Sequence, residues 1–171
     1  MKSCSSLGIG LAGFGTVGSG VWNVLERNGE LITGRTGGGV RLHIAKILVR
    51  NTAKARATTG EVPAEMFTTD WRKLVEDPAV DIVVELIGGT TDAFEIVAAA
   101  LRAKKPVVTG NKALLAERGI ELFALSKEHD APIHFEAAVA GGIPIIRTVQ
   151  DSFIGNRILS FSGIINGTSN Y

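Results

Sequence analysis

The strongest constraint on this chain lies near its start, where Gly13-Phe14-Gly15-Thr16-Val17-Gly18 spells GxGxxG directly after an apolar run at 7–12 and directly before a stretch of helical period. Between a strand and a helix each glycine has a distinct task. The first permits a tight turn, the second lets the backbone approach a pyrophosphate, and the third lets the helix pack closely on the strand. Phosphate then rests on the unpaired amides of the helix N-terminus. The competing reading is a glycine turn that merely joins strand to helix, and the remainder of the chain weighs against it.

Apolar runs of strand length alternate with segments of helical period. Val17, Val21, Val24, Leu25 and Ile32 recur at three- and four-residue spacing, which predicts an amphipathic helix over 16–32, followed by a glycine-rich surface loop at 33–39. Residues 42–49 are nearly all apolar, as a strand covered on both faces should be. A short third strand is expected at 66–68, a helix at 71–76 ended by Asp77-Pro78, and another buried strand at 81–87. Asp92 is expected to cap a helix whose Phe94, Val97, Ala98 and Leu101 share one face. Short strands at 106–109 and 132–135 flank a helix over 114–128.

These units predict an α/β protein, a Rossmann-type doubly wound, mainly parallel sheet of about six strands. From Gly141 the texture changes to a Gly-Gly-Ile-Pro turn, a helix near 144–152 and a longer strand over 157–165. The expected division is a dinucleotide-binding domain over 1–140, then a hinge and the truncated beginning of a second, α+β domain over 141–171.

Composition narrows the partners. A chain of 171 residues that is 45% hydrophobic can bury a sizeable core. A formal net charge of +1 without long basic runs gives no reason to expect nucleic acid or a membrane surface as partner. No run approaches the roughly 18 apolar residues of a membrane span. Cys4 is the only cysteine, so no internal disulfide can form, and the apolar start flows into the glycine turn instead of a cleavage site. A cytoplasmic protein acting on a small metabolite is the expectation. His43, His129 and His134 lack metal-ligand spacing and are assigned no role.

The second strand ends in Val49-Arg50-Asn51, where NAD-specific sites carry an acid that binds the adenosine ribose. A guanidinium in that place favours a 2′-phosphate, hence NADP, and leaves NAD open. Lys54 and Arg56 lie just beyond and could add charge. The alternative for Arg50 is a solvated basic strand end. Glu85, inside an apolar strand, either points toward the reactive end of the cofactor or is a buried, hydrogen-bonded structural group.

Three further segments should reach the ligand-binding edge of the sheet: Gly88-Gly89-Thr90-Thr91, Thr109-Gly110-Asn111-Lys112, and the stretch 135–142. Together with the fingerprint, the ordered strings VELIGG, VVTGNKALLA, EAAVAGGIPIIR and GIINGTSNY closely resemble homoserine dehydrogenase over essentially the whole chain. The resemblance implies NADPH- or NADH-dependent, reversible reduction of L-aspartate 4-semialdehyde to L-homoserine, on the branch toward threonine, methionine and isoleucine. It further implies that Lys112 is catalytic and that Gly88, Gly89, Thr90, Asn111 and Lys112 join the cofactor site. Chemically, an aldehyde carbon that accepts hydride leaves an oxyanion, which a positioned ammonium can stabilise and protonate. The alternative is a surface lysine at a helix start, where the dipole disfavours it.

By the same resemblance, Glu136 through its side chain and Val139, Gly141 and Ile143 through carbonyls would hold a monovalent cation such as Na+. Oxygen donors suit a hard ion, but a capped glycine-rich hinge would look the same in sequence. Gly167 and Thr168 match residues lining the substrate pocket, with a simple Asn-Gly turn as the alternative. The family's substrate domain continues well past NGTSNY and includes the sheet through which it dimerises. The chain is therefore expected to be a cofactor-binding fragment, inactive alone, of a homo-oligomeric enzyme. Two other readings stay open: a reductase of the dihydrodipicolinate reductase type, and a nucleotide-binding module without turnover.

Overall fold

The computed structural model describes residues 5–37, 39–53, 55 and 62–163. Six strands form one sheet: β1 (Ser5–Ala12), β2 (Val40–Leu48), β3 (Phe67–Thr68), β4 (Ile82–Glu85), β5 (Val107–Thr109) and β6 (Ile133–His134). Their order is β3-β2-β1-β4-β5-β6, and every pair is parallel. Among the described residues five α-helices connect or follow them: α1 (Thr16–Arg35), α2 (Trp71–Val75), α3 (Thr91–Arg102), α4 (Lys112–His129), and the short α5 (Ile145–Arg147), which runs on into a π-helical turn at Thr148–Ser152; single 3-10 turns lie at Ala64–Met66 and Glu136–Ala138. This is the Rossmann-like architecture the alternation predicts.

The chain leaves β1 toward β2 and β3 on one side, then returns to place β4 against the other side of β1. At the carboxyl ends of β1 and β4 the strand order therefore reverses, and the connections diverge to opposite sides of the sheet. A crevice opens there in folds of this kind. The register of β1 on β2 slips once, between Ile9 and Gly10, where Ala45 is the extra residue of a bulge.

Two apolar clusters lie on the two faces. Under α1, Ile9, Leu11, Ile44, Ile47 and Phe67 pack with Trp22 and Leu25. On the opposite face, Val83, Val107, Leu74, Phe94, Val97, Leu101, Leu114 and Leu122 join α2, α3 and α4 to the sheet. The helix α3 is nearly engulfed, burying Phe94, Ile96, Val97, Ala98 and Leu101, whereas α1 buries only Gly18 completely. Arg118 of α4 stacks over the Phe94 ring, 3.5 Å from its centroid.

The strand and helix positions follow the sequence closely, and three points differ. The first helix runs through Arg35, taking the start of the glycine-rich stretch into its last turn. Thr90 occupies the N-cap of α3, and Asp92 sits inside the first turn, where its charge complements the helix dipole without capping. The strand expected over 157–165 is absent from its described part, since residues 157–163 have no regular secondary structure and are exposed throughout. A strand needs a neighbour to take up its backbone bonds, and among the described residues none lies beside this segment. Among the described residues, no helix is long and apolar enough to cross a membrane.

Candidate functional site

The crevice predicted by the strand order is a cleft of about 1190 Å³. Its wall is built from the β1–α1 turn (Gly13, Phe14, Gly15, Thr16), the end of β2 (Leu48, Val49, Arg50, Asn51) and the end of β4 (Leu86, Ile87, Gly88). That volume exceeds what a typical drug-sized ligand needs.

Each fingerprint glycine has its own physical reason. Gly13 has φ +104, and a Cβ there would stand 2.7 Å from the Leu86 carbonyl oxygen. Gly18 lies one helical turn further on, and a Cβ there would stand 2.1 Å from the Gly13 carbonyl oxygen, so helix and turn touch backbone to backbone. Gly15 is different, because a Cβ added to it meets, among the described residues, no atom within 4 Å beyond its chain neighbours. The protein leaves space at that point, on the cleft wall, at the N-cap of α1. No side chain caps this helix and no acidic residue stands in its first turn. The first-turn amides, which have no intrahelical acceptor, are thereby left to an outside acceptor, and the helix dipole favours an anionic one. Thr16 shares the wall, Val17 is exposed outside it, and Phe14 is fixed edge-on against Phe67, with ring centroids 5.7 Å apart.

Arg50 is exposed on the wall beyond the end of β2. Lys54 and Arg56 lie outside the described residues. The sequence reading missed Ser19, Trp22, Asn23, Thr69, Trp71 and Asp92, which also line the cleft. Trp22 and Trp71 are the only two tryptophans of the chain. Helical periodicity places Ser19, Trp22 and Asn23 on α1 but cannot tell that this flank of the helix faces the sheet's open edge.

The other predicted residues cluster at the next junction along the same edge. Gly88 lines the cleft, whereas Gly89, Thr90, Asn111 and Lys112 stand outside its lining. Lys112 is exposed and is the first residue of α4. Beneath it lies a closed polar network around Glu85, which is fully buried. The Glu85 carboxylate accepts the Ile87 amide (2.9 Å), the Gly88 amide (3.3 Å) and the Thr109 hydroxyl (2.6 Å). Thr109 Oγ1 in turn accepts the Asn111 amide at 3.0 Å. The Asn111 side chain accepts the Leu114 amide (3.1 Å) and donates to the Gly89 carbonyl (2.7 Å) and, more weakly, to Glu85 (3.4 Å). Among the described residues no buried side-chain polar atom lacks a partner. Of the two roles open to Glu85, the structure selects the hydrogen-bonded one.

Of the residues expected to hold a cation, Glu136 is the one whose side-chain partners are seen. Glu136 accepts the backbone amides of Ile146 and Arg147, both at 2.9 Å, one on each carboxylate oxygen. It thus closes the start of α5, while Val139, Gly141 and Ile143 lie on the loop between; Gly141 has φ +60 and Ile143 is largely exposed. Among the described residues, no three His, Cys, Asp or Glu side chains gather as a metal cluster. Gly167 and Thr168 lie outside the described residues.

Comparison with known proteins agrees with this geometry. The family model described as "Homoserine dehydrogenase, NAD binding domain" matches residues 13–136. A homoserine dehydrogenase of Pseudomonas aeruginosa is 46% identical over 163 residues, covering 95% of this chain and 36% of that protein. Among solved structures, a homoserine dehydrogenase from Thiobacillus denitrificans superposes with a TM-score of 0.87 at 46% identity, covering 99% of this chain and 38% of that one. A hyperthermophilic archaeal homoserine dehydrogenase in complex with NADPH superposes with a TM-score of 0.70 at 27% identity, covering 88% of this chain and 50% of that one. The chain thus spans little more than a third of the length of the curated relative it matches.

Proposed function

Since the chain belongs to the family of homoserine dehydrogenase NAD binding domains, we propose that its cleft binds a nicotinamide dinucleotide, NADP(H) in preference to NAD(H). We further propose that the protein to which it belongs reduces L-aspartate 4-semialdehyde to L-homoserine reversibly. The observation that carries the cofactor reading is the open cradle at Gly15: an uncapped helix N-terminus with no protein atom where a pyrophosphate would lie. Gly13, Phe14, Gly15 and Thr16 would hold the diphosphate, and Arg50 a 2′-phosphate. Gly88 would face the nicotinamide half. The archaeal relative was solved with NADPH, which supports the same preference.

A bound nicotinamide supplies the hydride. The chain's own part is to hold the ring end near the edge where α4 begins and to present Lys112 there. A lysine in the first turn of a helix stands against the dipole. An anionic partner, or an oxygen gaining negative charge, offsets that placement, and the ammonium can then donate its proton to the substrate oxygen. In the protein that carries this domain, Lys112→Ala should lower turnover of the semialdehyde by about a hundredfold to ten-thousandfold. NADPH affinity should barely change, because the phosphate cradle lies elsewhere. Near-normal turnover of a folded Lys112→Ala protein would remove Lys112 from the chemistry.

The proposed setting is a cytoplasmic homo-oligomer, with residues 1–140 as the cofactor domain and 141–171 as the hinge into a substrate domain. A monovalent cation at Glu136, Val139, Gly141 and Ile143 belongs to the same reading, and it requires the Glu136 carboxylate to serve the ion beside the α5 amides. The chain alone is expected to bind cofactor and to turn over negligibly. Titration with NADPH, followed through Trp22 and Trp71, beside a steady-state assay with the semialdehyde, tests both halves of the reading.

A further inference from the structure

The network around Glu85 spans two segments of the ligand-binding edge that are more than twenty residues apart in sequence, and the fold alone does not require it. Gly88 and Gly89 both have φ +72, and among the described residues neither has an atom beyond its chain neighbours within 4 Å of its Cβ position. This turn is therefore not held by packing around its own residues. It is held by hydrogen bonds: the Ile87 and Gly88 amides to Glu85 from below, and the Gly89 carbonyl to the Asn111 carboxamide from the side. The same carboxamide caps α4 through the Leu114 amide. Both Nδ2 hydrogens of Asn111 are engaged, and the residue is buried, with 7% exposed. A side chain so engaged has no donor left for a ligand.

We propose that Asn111 and Glu85 are positioning residues, a strap that locks the Gly88–Gly89 turn to the start of α4 so that the cleft wall at Gly88 and the backbone of Lys112 move as one body. This rests on the reading of the cleft as a cofactor site. On that reading, the strap sets the nicotinamide half of the cleft and leaves the adenosine half, at Arg50 and Trp22, untouched. It is built from a buried carboxylate because one carboxylate can serve amides on one oxygen and the Thr109 hydroxyl on the other.

Asn111→Ser separates the strap from the cap. Serine caps a helix as well as asparagine does, but its side chain is too short to reach the Gly89 carbonyl. In the chain without ligand, amide exchange of Ile87 and Gly88 should speed up about three- to tenfold, the effect of losing one hydrogen bond, while that of Leu114 stays put. NADPH affinity should fall by a similar factor. Affinity for adenosine 2′,5′-bisphosphate, which reaches only the Gly15 and Arg50 end, should be unchanged. Thr109→Val should repeat the pattern from the other side of Glu85, and Thr109→Ser should restore it. Unchanged exchange at Ile87 and Gly88 would overturn the strap. So would equal losses for both ligands, or a loss for neither, because either would make the network general scaffolding. Failure of the unmutated chain to bind either ligand would instead sink the cofactor reading, and the exchange measurement would still decide the strap.

Discussion

Two strand-to-helix junctions at the same edge of the sheet solve the problem of a helix N-terminus in opposite ways. At β5–α4 the protein supplies its own partners: Asn111 caps the helix, Thr109 holds the Asn111 amide, and Glu85 closes the network beneath. At β1–α1 the protein supplies none of them, placing glycine at the N-cap, no acid in the first turn and no atom near the Gly15 Cβ position. Gly15, Thr16 and Val17 are exposed, so water can serve the free amides of α1, and an anion can displace it there at little cost to the protein. The contrast therefore separates a junction whose partners are built into the protein from one with room for the ligand proposed above.

The largest expected effect breaks that contrast directly. Gly15→Asp would turn the open junction into a filled one, because φ −82 suits any L-residue and the side chain meets no protein atom. Stability should rise by a few tenths of a kcal/mol, the difference between a glycine and an aspartate cap. NADPH affinity should fall by at least about a hundredfold, since a carboxylate then occupies the place of the diphosphate and repels it. Thermal unfolding and cofactor titration of the same sample check both signs. Binding that survived in Gly15→Asp would refute the cradle.

A smaller effect sharpens the comparison along the cleft. Arg50→Asp should lower the ratio of NADP to NAD affinity by about tenfold to a hundredfold, through loss of a charge-assisted bond to the 2′-phosphate and gain of a ribose acceptor. Paired titrations with the two dinucleotides measure it. An unchanged ratio would move the discrimination away from the end of β2.

The smallest effect belongs to a third loop, between α2 and β4, far in sequence from the fingerprint. There Asp77 accepts the Ala79 amide at 2.9 Å and pairs with Lys46 at 3.0 Å. The Ala79 hydrogen bond is the largest influence and holds its carboxyl below the ordinary aspartate value of 3.8; burial, next in size, opposes it, and the hydrogen bond and charge of Lys46 and the charge of Lys105 lower it further. A carboxyl whose folded value is depressed contributes stability that is fully present above its unfolded value. That contribution is lost as pH falls below about 4 through the folded value. Denaturation midpoints at pH 7 and pH 3 should differ less for Asp77→Asn than for the unmutated chain, with cofactor affinity equal in both at pH 7. An equal acid sensitivity in the two proteins would show that Asp77 carries none of it.

Much of this molecule is legible in its residues because parallel sheets with helices on their faces impose strict patterns. The carboxyl half of β2, from Ile44, is mostly apolar because it is largely covered on both sides, and GxGxxG names the turn because close backbone contact constrains Gly13 and Gly18 while Gly15 keeps the space beside it open. The segment 157–165 shows the limit. Its alternation suits a strand, but a strand exists only where another backbone takes its bonds, and the residues before it do not supply one among those described. Asp92 shows a subtler limit: it has the composition of a cap, yet Thr90 takes that position and Asp92 enters the first turn.

Sequence by itself determined the strand order's raw material, the glycine cradle, the place of Arg50 and the family, all of which depend on local periodicity or on motifs contiguous in the chain. The tertiary structure alone decided which polar groups are spent. Glu85, Thr109, Asn111 and Gly89 are separated by up to 26 residues, and Glu136 meets the start of α5 across ten. A carboxylate's partners are set by where the backbone amides of other segments arrive, and no local pattern encodes that. Whether a buried acid is a ligand, a base or a strap is therefore decided by its completed hydrogen bonds, which exist only once the sheet has brought the two strand ends together.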